Sequence, residues 1–136
     1  MTPKWKVGKI YLAGKWEEYE KIHGYADDLR TRGFEITCPW FERHVGENIN
    51  LAEGALDDER GVVAADYCIF IFENNLPYSG AMTELGIAIA LKKHIFIVGK
   101  GGDRNIFTHL PRLRKHSSFE EARKDLYDHA RCYEQK

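Results

Sequence analysis

The 136-residue chain has no surplus of charge of either sign: 20 lysines and arginines stand against 21 aspartates and glutamates. That balance excludes the broad positive field with which nucleic-acid-binding and membrane-surface proteins attract their partners. Long apolar runs are lacking too, since none approaches the roughly 20 residues of a membrane-spanning helix. The basic stretch Met1 to Lys9 is without the apolar segment of a signal peptide, so a soluble, cytoplasmic protein is expected. The three cysteines, Cys38, Cys68 and Cys132, are odd in number, far apart and without a CxxC pair, which argues against a disulfide framework and against zinc. The six histidines are scattered with no HExxH, and neither GxGxxG nor GxxxxGK[ST] occurs. No metal and no cofactor are expected. What remains is a small-molecule task carried by one domain, residues 1 to 136, large enough for a single core.

What is present alternates between two periods. Val7 to Ala13 reads as a strand, and Lys15 to Arg32 has helical spacing through Trp16, Tyr19, Ile22, Ala26 and Leu29. A short strand, Phe34 to Cys38, leads through Pro39 into Trp40 to Asn48, which has no clean period and reads as a loop long enough to act as a lid. A helix is expected over Ile49 to Ala65. Tyr67 to Phe72 and His94 to Val98 are unbroken apolar strands, the mark of burial on both faces, and between them Gly80 to Lys92 is a strongly apolar helix. Ser117 followed by Glu120 suggests a capping box for a last amphipathic helix, while the basic stretch Arg112 to Lys115 reads as solvated surface. The sum is an α/β domain: a flavodoxin-like or Rossmann-like parallel sheet of about five strands with helices on both faces. Ligands of such sheets gather beyond the carboxyl ends of the strands.

Glu84 is the one charge within Ala81 to Leu91. It either complements the helix N-terminus on a solvated face or is a partly buried active-site carboxylate, and the residues alone leave both open. Asp58 lies about two turns before Asp66 and is either part of a solvated acidic run or directed over the sheet edge toward a ligand. Asp66, just before the buried strand, suits a structural turn. Tyr11 stands near the carboxyl end of the first strand, where a phenol either packs or holds a carboxylate. Trp40 is the candidate for stacking on a planar ligand, a buried tryptophan being the plainer account.

The segments IYLAG at Ile10 to Gly14, DERGVVAAD at Asp58 to Asp66 and YSGAMTELGIAIALKK at Tyr78 to Lys93, in this order, resemble the nucleoside 2-deoxyribosyltransferase family and the related 2'-deoxynucleoside 5'-monophosphate N-glycosidases. The resemblance implies that Glu84 attacks C1' of the sugar, that Tyr11 positions it, and that Asp58 contacts the base and delivers its proton. It further implies sugar or phosphate contacts from Gly14, Lys15, Tyr78, Ser79 and Gly80. In the family a residue of a neighbouring subunit completes the pocket, so a homodimer or larger homo-oligomer is expected, with Asn105 as the nearest counterpart. Tyr78 departs from the family pattern, standing where transferases carry an aspartate and the monophosphate hydrolases a serine. The loop GKWEEYE is acidic where a phosphate would need cations, which favours a nucleoside over a nucleotide. The expected partners are therefore a nucleoside or nucleotide and a nucleobase, and the alternatives to a transferase are a hydrolase and a non-catalytic binding module.

Overall fold

The computed structural model describes residues 8–43, 50–75 and 77–134. At the centre lies β3, Tyr67–Ile71, all five residues of which are buried. A strand with no polar face has no side to offer water and belongs in mid-sheet, covered above and below. β1 (Gly8–Ala13) pairs with one side of β3, Tyr11 opposite Cys68, and β4 (His94–Val98) pairs with the other, Phe96 opposite Ile69. β2 (Phe34–Ile36) extends the sheet beyond β1 and β5 (Arg114–His116) beyond β4. The order is β2-β1-β3-β4-β5, with every pairing parallel. This is the five-stranded α/β architecture expected from the sequence.

Parallel neighbours need crossovers, which are the helices α1 (Tyr19–Thr31), α2 (Leu51–Ala64) and α3 (Ser79–Ala90), with α4 (Phe119–Glu134) following β5. α2 packs against α3 on one face. On the other, α1 meets α4 through the stacked rings of Tyr25 and Phe119, 4.0 Å apart, and the Arg123–Asp28 ion pair at 3.0 Å. The order reverses between β1 and β3, so the sheet has its switch point there, and a crevice opens at their carboxyl ends.

Several boundaries differ from the sequence reading. Trp16 to Glu18 form a 3-10 turn ahead of α1, closed by Glu18 N–H donating to the Lys15 carbonyl. Trp16 therefore does not belong to the helical stripe it was assigned to. The loop after β2 opens with another 3-10 turn, Trp40–Glu42, and the lid expected over Trp40 to Asn48 falls, from residue 44 on, outside the described residues. α2 starts at Leu51 because the Asn50 side chain caps it, accepting from the N–H groups of Ala52 and Glu53. The cap of α4 lies one residue later than expected: Ser118 Oγ accepts from Glu121 N–H, and the Glu121 carboxylate reaches back to Ser117.

The clearest miss is β5. Arg114 and Lys115 show no apolar alternation because this edge strand faces water, and backbone pairing with β4 and the Arg114–Asp125 ion pair (2.7 Å) hold it. Asp66 ties β1 to β3, its side chain accepting from Lys9 N–H at 2.9 Å while its own N–H donates to the Lys9 carbonyl at 2.8 Å.

The turn after β4 depends on Gly99, whose φ is +87° and whose missing Cβ would lie 2.4 Å from the Phe72 carbonyl oxygen. Both the backbone conformation and the space exclude a side chain. Gly99→Ala is expected to lower the unfolding free energy by about 2 kcal/mol or more, measured by urea denaturation; an unchanged midpoint would contradict this packing.

Candidate active site

Five segments converge at the switch point on a cavity of about 230 Å³: Tyr11 and Gly14 from β1 and its end, Trp16, then Trp40 and Arg43 after β2, Asp58 from α2, and Gly80, Ala81 and Glu84 from the first turns of α3. Tyr11 is fully buried, and its phenol donates a hydrogen bond to Glu84 Oε2. Asp58 lines the same cavity, and its charge bears on Glu84. The residues that the resemblance placed in catalytic roles, Glu84, Tyr11 and Asp58, thus lie together in one cavity.

The environment of α3 explains the chemistry of Glu84. Ala81, Leu85 and Ala88 are buried against the sheet, and the Glu84 side chain enters a site with little water to solvate a charge. Burial pushes its carboxyl up to about 8, the Tyr11 bond opposing and the neighbouring Asp58 reinforcing the rise. That shift favours the neutral form of Glu84. Asp58 is partly exposed and faces the Arg43 guanidinium at 3.5 Å. Burial and the adjacent Glu84 raise the Tyr11 phenol far above its usual range, so it acts only as a donor.

The remaining candidates divide. Gly14 and Gly80 line the cavity. Trp40 lines it as a fixed wall, 7% exposed, with its indole N–H donating to the Leu12 carbonyl at 2.7 Å. Lys15 is not brought to the cavity; its ammonium donates to the Pro77 carbonyl at 2.9 Å. Tyr78 is buried beside it with its hydroxyl engaged elsewhere, accepting from Asn74 N–H and donating to Glu18, each at 3.1 Å. Although burial opposes it, hydrogen bonds from Lys21 and Asn74 hold the Glu18 carboxyl below its usual range. Ser79 is the exposed first residue of α3. Asn105 caps the 3-10 turn Ile106–His109, accepting from Phe107 N–H, and does not line the cavity of its own chain.

Sequence reasoning missed Trp16, Cys38 and Arg43. Trp16 forms an aromatic wall with Trp40, ring centroids 6.2 Å apart, and its position three residues beyond the end of β1 was the available signal. Nothing in the local pattern marked Cys38 or Arg43. Among the described residues, no group of three histidine, cysteine, aspartate or glutamate side chains is placed to hold a metal ion.

A half-buried carboxyl, a phenol donor and a second carboxyl share the aromatic-walled crevice of an α/β protein, an arrangement suited to enzymes that act on glycosyl bonds. Within that class the sequence matches the nucleoside 2-deoxyribosyltransferase family over residues 10–128, and the chain belongs to that family. Solved structures share the fold. A conserved protein of Enterococcus faecalis superposes with a TM-score of 0.66 at 15% identity, covering 89% of this chain and 98% of that one. The CMP N-glycosidase of Clostridium botulinum gives 0.61 at 18% identity, covering 88% and 98%, and a 2-desoxiribosyltransferase from Leishmania mexicana gives 0.61 at 17%, covering 89% and 97%. No curated protein matches the sequence.

A carboxyl held at about 8 in the folded protein and near its usual value when unfolded contributes stability below the unfolded value, and loses it as pH rises to about 8. The stability difference between wild type and Glu84→Gln should therefore move against the wild type by on the order of 3 kcal/mol between pH 4.5 and pH 8.5. Paired urea denaturations test this; a constant difference would show that Glu84 is solvated. Gly61→Ala probes the packing, because a Cβ there would meet Cys38 Cβ at 2.6 Å and the Tyr11 ring at 3.0 Å. A loss of about 1–3 kcal/mol is expected.

Proposed function

We propose that the chain cleaves the N-glycosidic bond of a 2'-deoxynucleoside through a covalent glycosyl ester on Glu84 and passes the sugar to a second nucleobase. The observation that carries this reading is that Tyr11, Asp58 and a half-buried Glu84 line one cavity, with the phenol donating to Glu84. A 2-deoxy sugar has no electron-withdrawing hydroxyl at C2', so its C1'–N bond breaks through an oxocarbenium-like state that a carboxylate stabilises and then traps.

The pair needs only one proton for the cycle. On substrate binding it passes from Glu84 to Asp58, leaving Glu84 ionised. As the C1'–N bond breaks, Asp58 gives this proton to the departing base, and the free Glu84 oxygen forms the C1'–O bond. Tyr11 holds the other oxygen, Oε2, and so fixes the carboxylate for attack. In the second half the acceptor base attacks C1', the ester bond breaks, and the acceptor's proton returns to Asp58. Trp16 and Trp40 are flat apolar walls against which a base stacks.

The chemistry around the cavity favours a nucleoside over its monophosphate. Lys15 is engaged with Pro77, and the cation that does line the cavity, Arg43, lies within 4 Å of Asp57 and Asp58. The same reading expects a cytoplasmic homo-oligomer, with Asn105 serving a neighbouring copy. Its exposed neighbours Ile106 and Phe107 suit such a contact.

Incubation with a deoxynucleoside and a second free base should give base exchange, read by chromatography. Free base without exchange would make the protein a hydrolase, and no change would leave it a binding module. A parallel incubation with deoxynucleoside monophosphates tests the substrate. Glu84→Ala should be inactive, whereas Tyr11→Phe should retain activity with kcat lowered about tenfold, the worth of one hydrogen bond to a charged group. Full kcat in Tyr11→Phe would remove the phenol from the mechanism.

A further inference from the structure

Cys38 holds a backbone conformation that cysteine rarely adopts, with φ at +46°, two residues beyond β2. Its neighbour Thr37 fixes the segment on two sides: the N–H donates to the Ile10 carbonyl at 2.9 Å, and the hydroxyl donates to the Gly61 carbonyl at 2.7 Å. Gly61 in turn brings α2 so close that even a methyl group there would collide with Cys38 and Tyr11. Strained backbone of this kind persists where the surroundings over-determine it, and it gathers at functional sites. Here it directs a thiol at Asp58, one helical turn before Gly61.

The Cys38 thiol donates to Asp58 Oδ1 at 3.3 Å, and Arg43 Nη2 stands 3.5 Å from the same oxygen. Burial and the bond to Asp58 push that thiol up to about 12, so it remains protonated and a donor at neutral pH. The two carboxyls are therefore held alike. Tyr11 occupies Oε2 of Glu84, while Cys38 and Arg43 occupy Oδ1 of Asp58. Each acid keeps one oxygen for chemistry.

We propose that Cys38 and Arg43 are positioning residues that clamp Asp58 by Oδ1, so that Oδ2 carries the proton and delivers it to the base. The inference rests on the reading of Asp58 as the acid. The groups facing the carboxyl pair are Tyr11 from β1, Cys38 and Arg43 after β2, Asp57 from α2 and Cys68 from β3. Of these, Cys38 and Arg43 favour the ionised pair, and Asp57 disfavours it. Loss of either clamp residue makes the pair hold its protons more tightly and moves its titration to higher pH, while Asp57→Asn moves it down.

The test uses the full chain with carboxyl carbons of aspartate and glutamate labelled with 13C, titrated by NMR, with Glu84→Gln identifying the pair. Cys38→Ala should raise the titration, Arg43→Ala should raise it further, by about one pH unit, and Cys38→Ser, which keeps a donor on the same backbone, should restore the wild-type curve. The pH profile of kcat/KM should move with the titration, and kcat should fall more than KM changes. An unchanged titration in Cys38→Ala and Arg43→Ala, both with wild-type circular dichroism, overturns the clamp. Should either variant fail to fold, failure of Cys38→Ser to match wild type, or of Asp57→Asn to move the curve down, overturns it equally. If the wild type releases base from no nucleoside while the titration moves and is restored as stated, the clamp stands and the functional reading falls.

Discussion

The site depends on one constraint: a carboxyl on an apolar helix is drawn partly out of water beside a phenol and a second carboxyl. α3 packs its small and branched residues against β3 and β4, and Glu84 in its first turns cannot reach bulk solvent fully. An unpaired charge there would be costly, so the carboxyl keeps its proton until something replaces the missing solvation. Tyr11 supplies part of it, its phenol donating to Glu84 from a buried strand position. A sugar that becomes cationic at C1' would supply the rest, since positive charge developing beside the carboxyl is what makes its ionised form favourable. On the proposed mechanism, the same burial that destabilises the resting charge would make Glu84 favour a transition state that carries positive charge.

The fold delivers these groups because the strand order reverses between β1 and β3. At that point the chain segments leaving β1, β2 and β3 diverge to opposite faces, and a crevice opens that no crossover helix fills. α2 closes one wall at Gly61, where the absence of a side chain lets the helix approach Tyr11 and Cys38 together and brings Asp58 over the crevice. Cavity, phenol and acid are set by a single close approach.

Much of the fold was legible in the sequence, for physical reasons. The unbroken runs Tyr67 to Phe72 and His94 to Val98 are what a strand covered on both faces must look like, and the lone acid in α3 stood out because its neighbours leave almost no polar face. β5 was illegible: an edge strand pairs through its backbone, and Arg114 and Lys115 carry no apolar signal. Trp16 was misread because a 3-10 turn entering a helix has nearly the helical period. Lys15, which the resemblance places at the substrate, donates its ammonium to the Pro77 carbonyl, a contact no sequence pattern announces. Cys38 and Arg43 meet Asp58 only through tertiary packing, and no local pattern announces a cysteine with positive φ. The upward shift of the Glu84 carboxyl was beyond the sequence altogether, because it depends on how far the fold takes that side chain out of water.

The claim beneath all of this is that Glu84 becomes covalently bonded to a sugar carbon. Rapid acid quenching of the protein during turnover of a deoxynucleoside, followed by peptide mass spectrometry, reads that bond directly. The account requires the added mass of one deoxyribosyl group on the peptide bearing Glu84, lost in Glu84→Gln. Turnover with no adduct at any quench time, or an adduct carried by Asp58 instead, would contradict it.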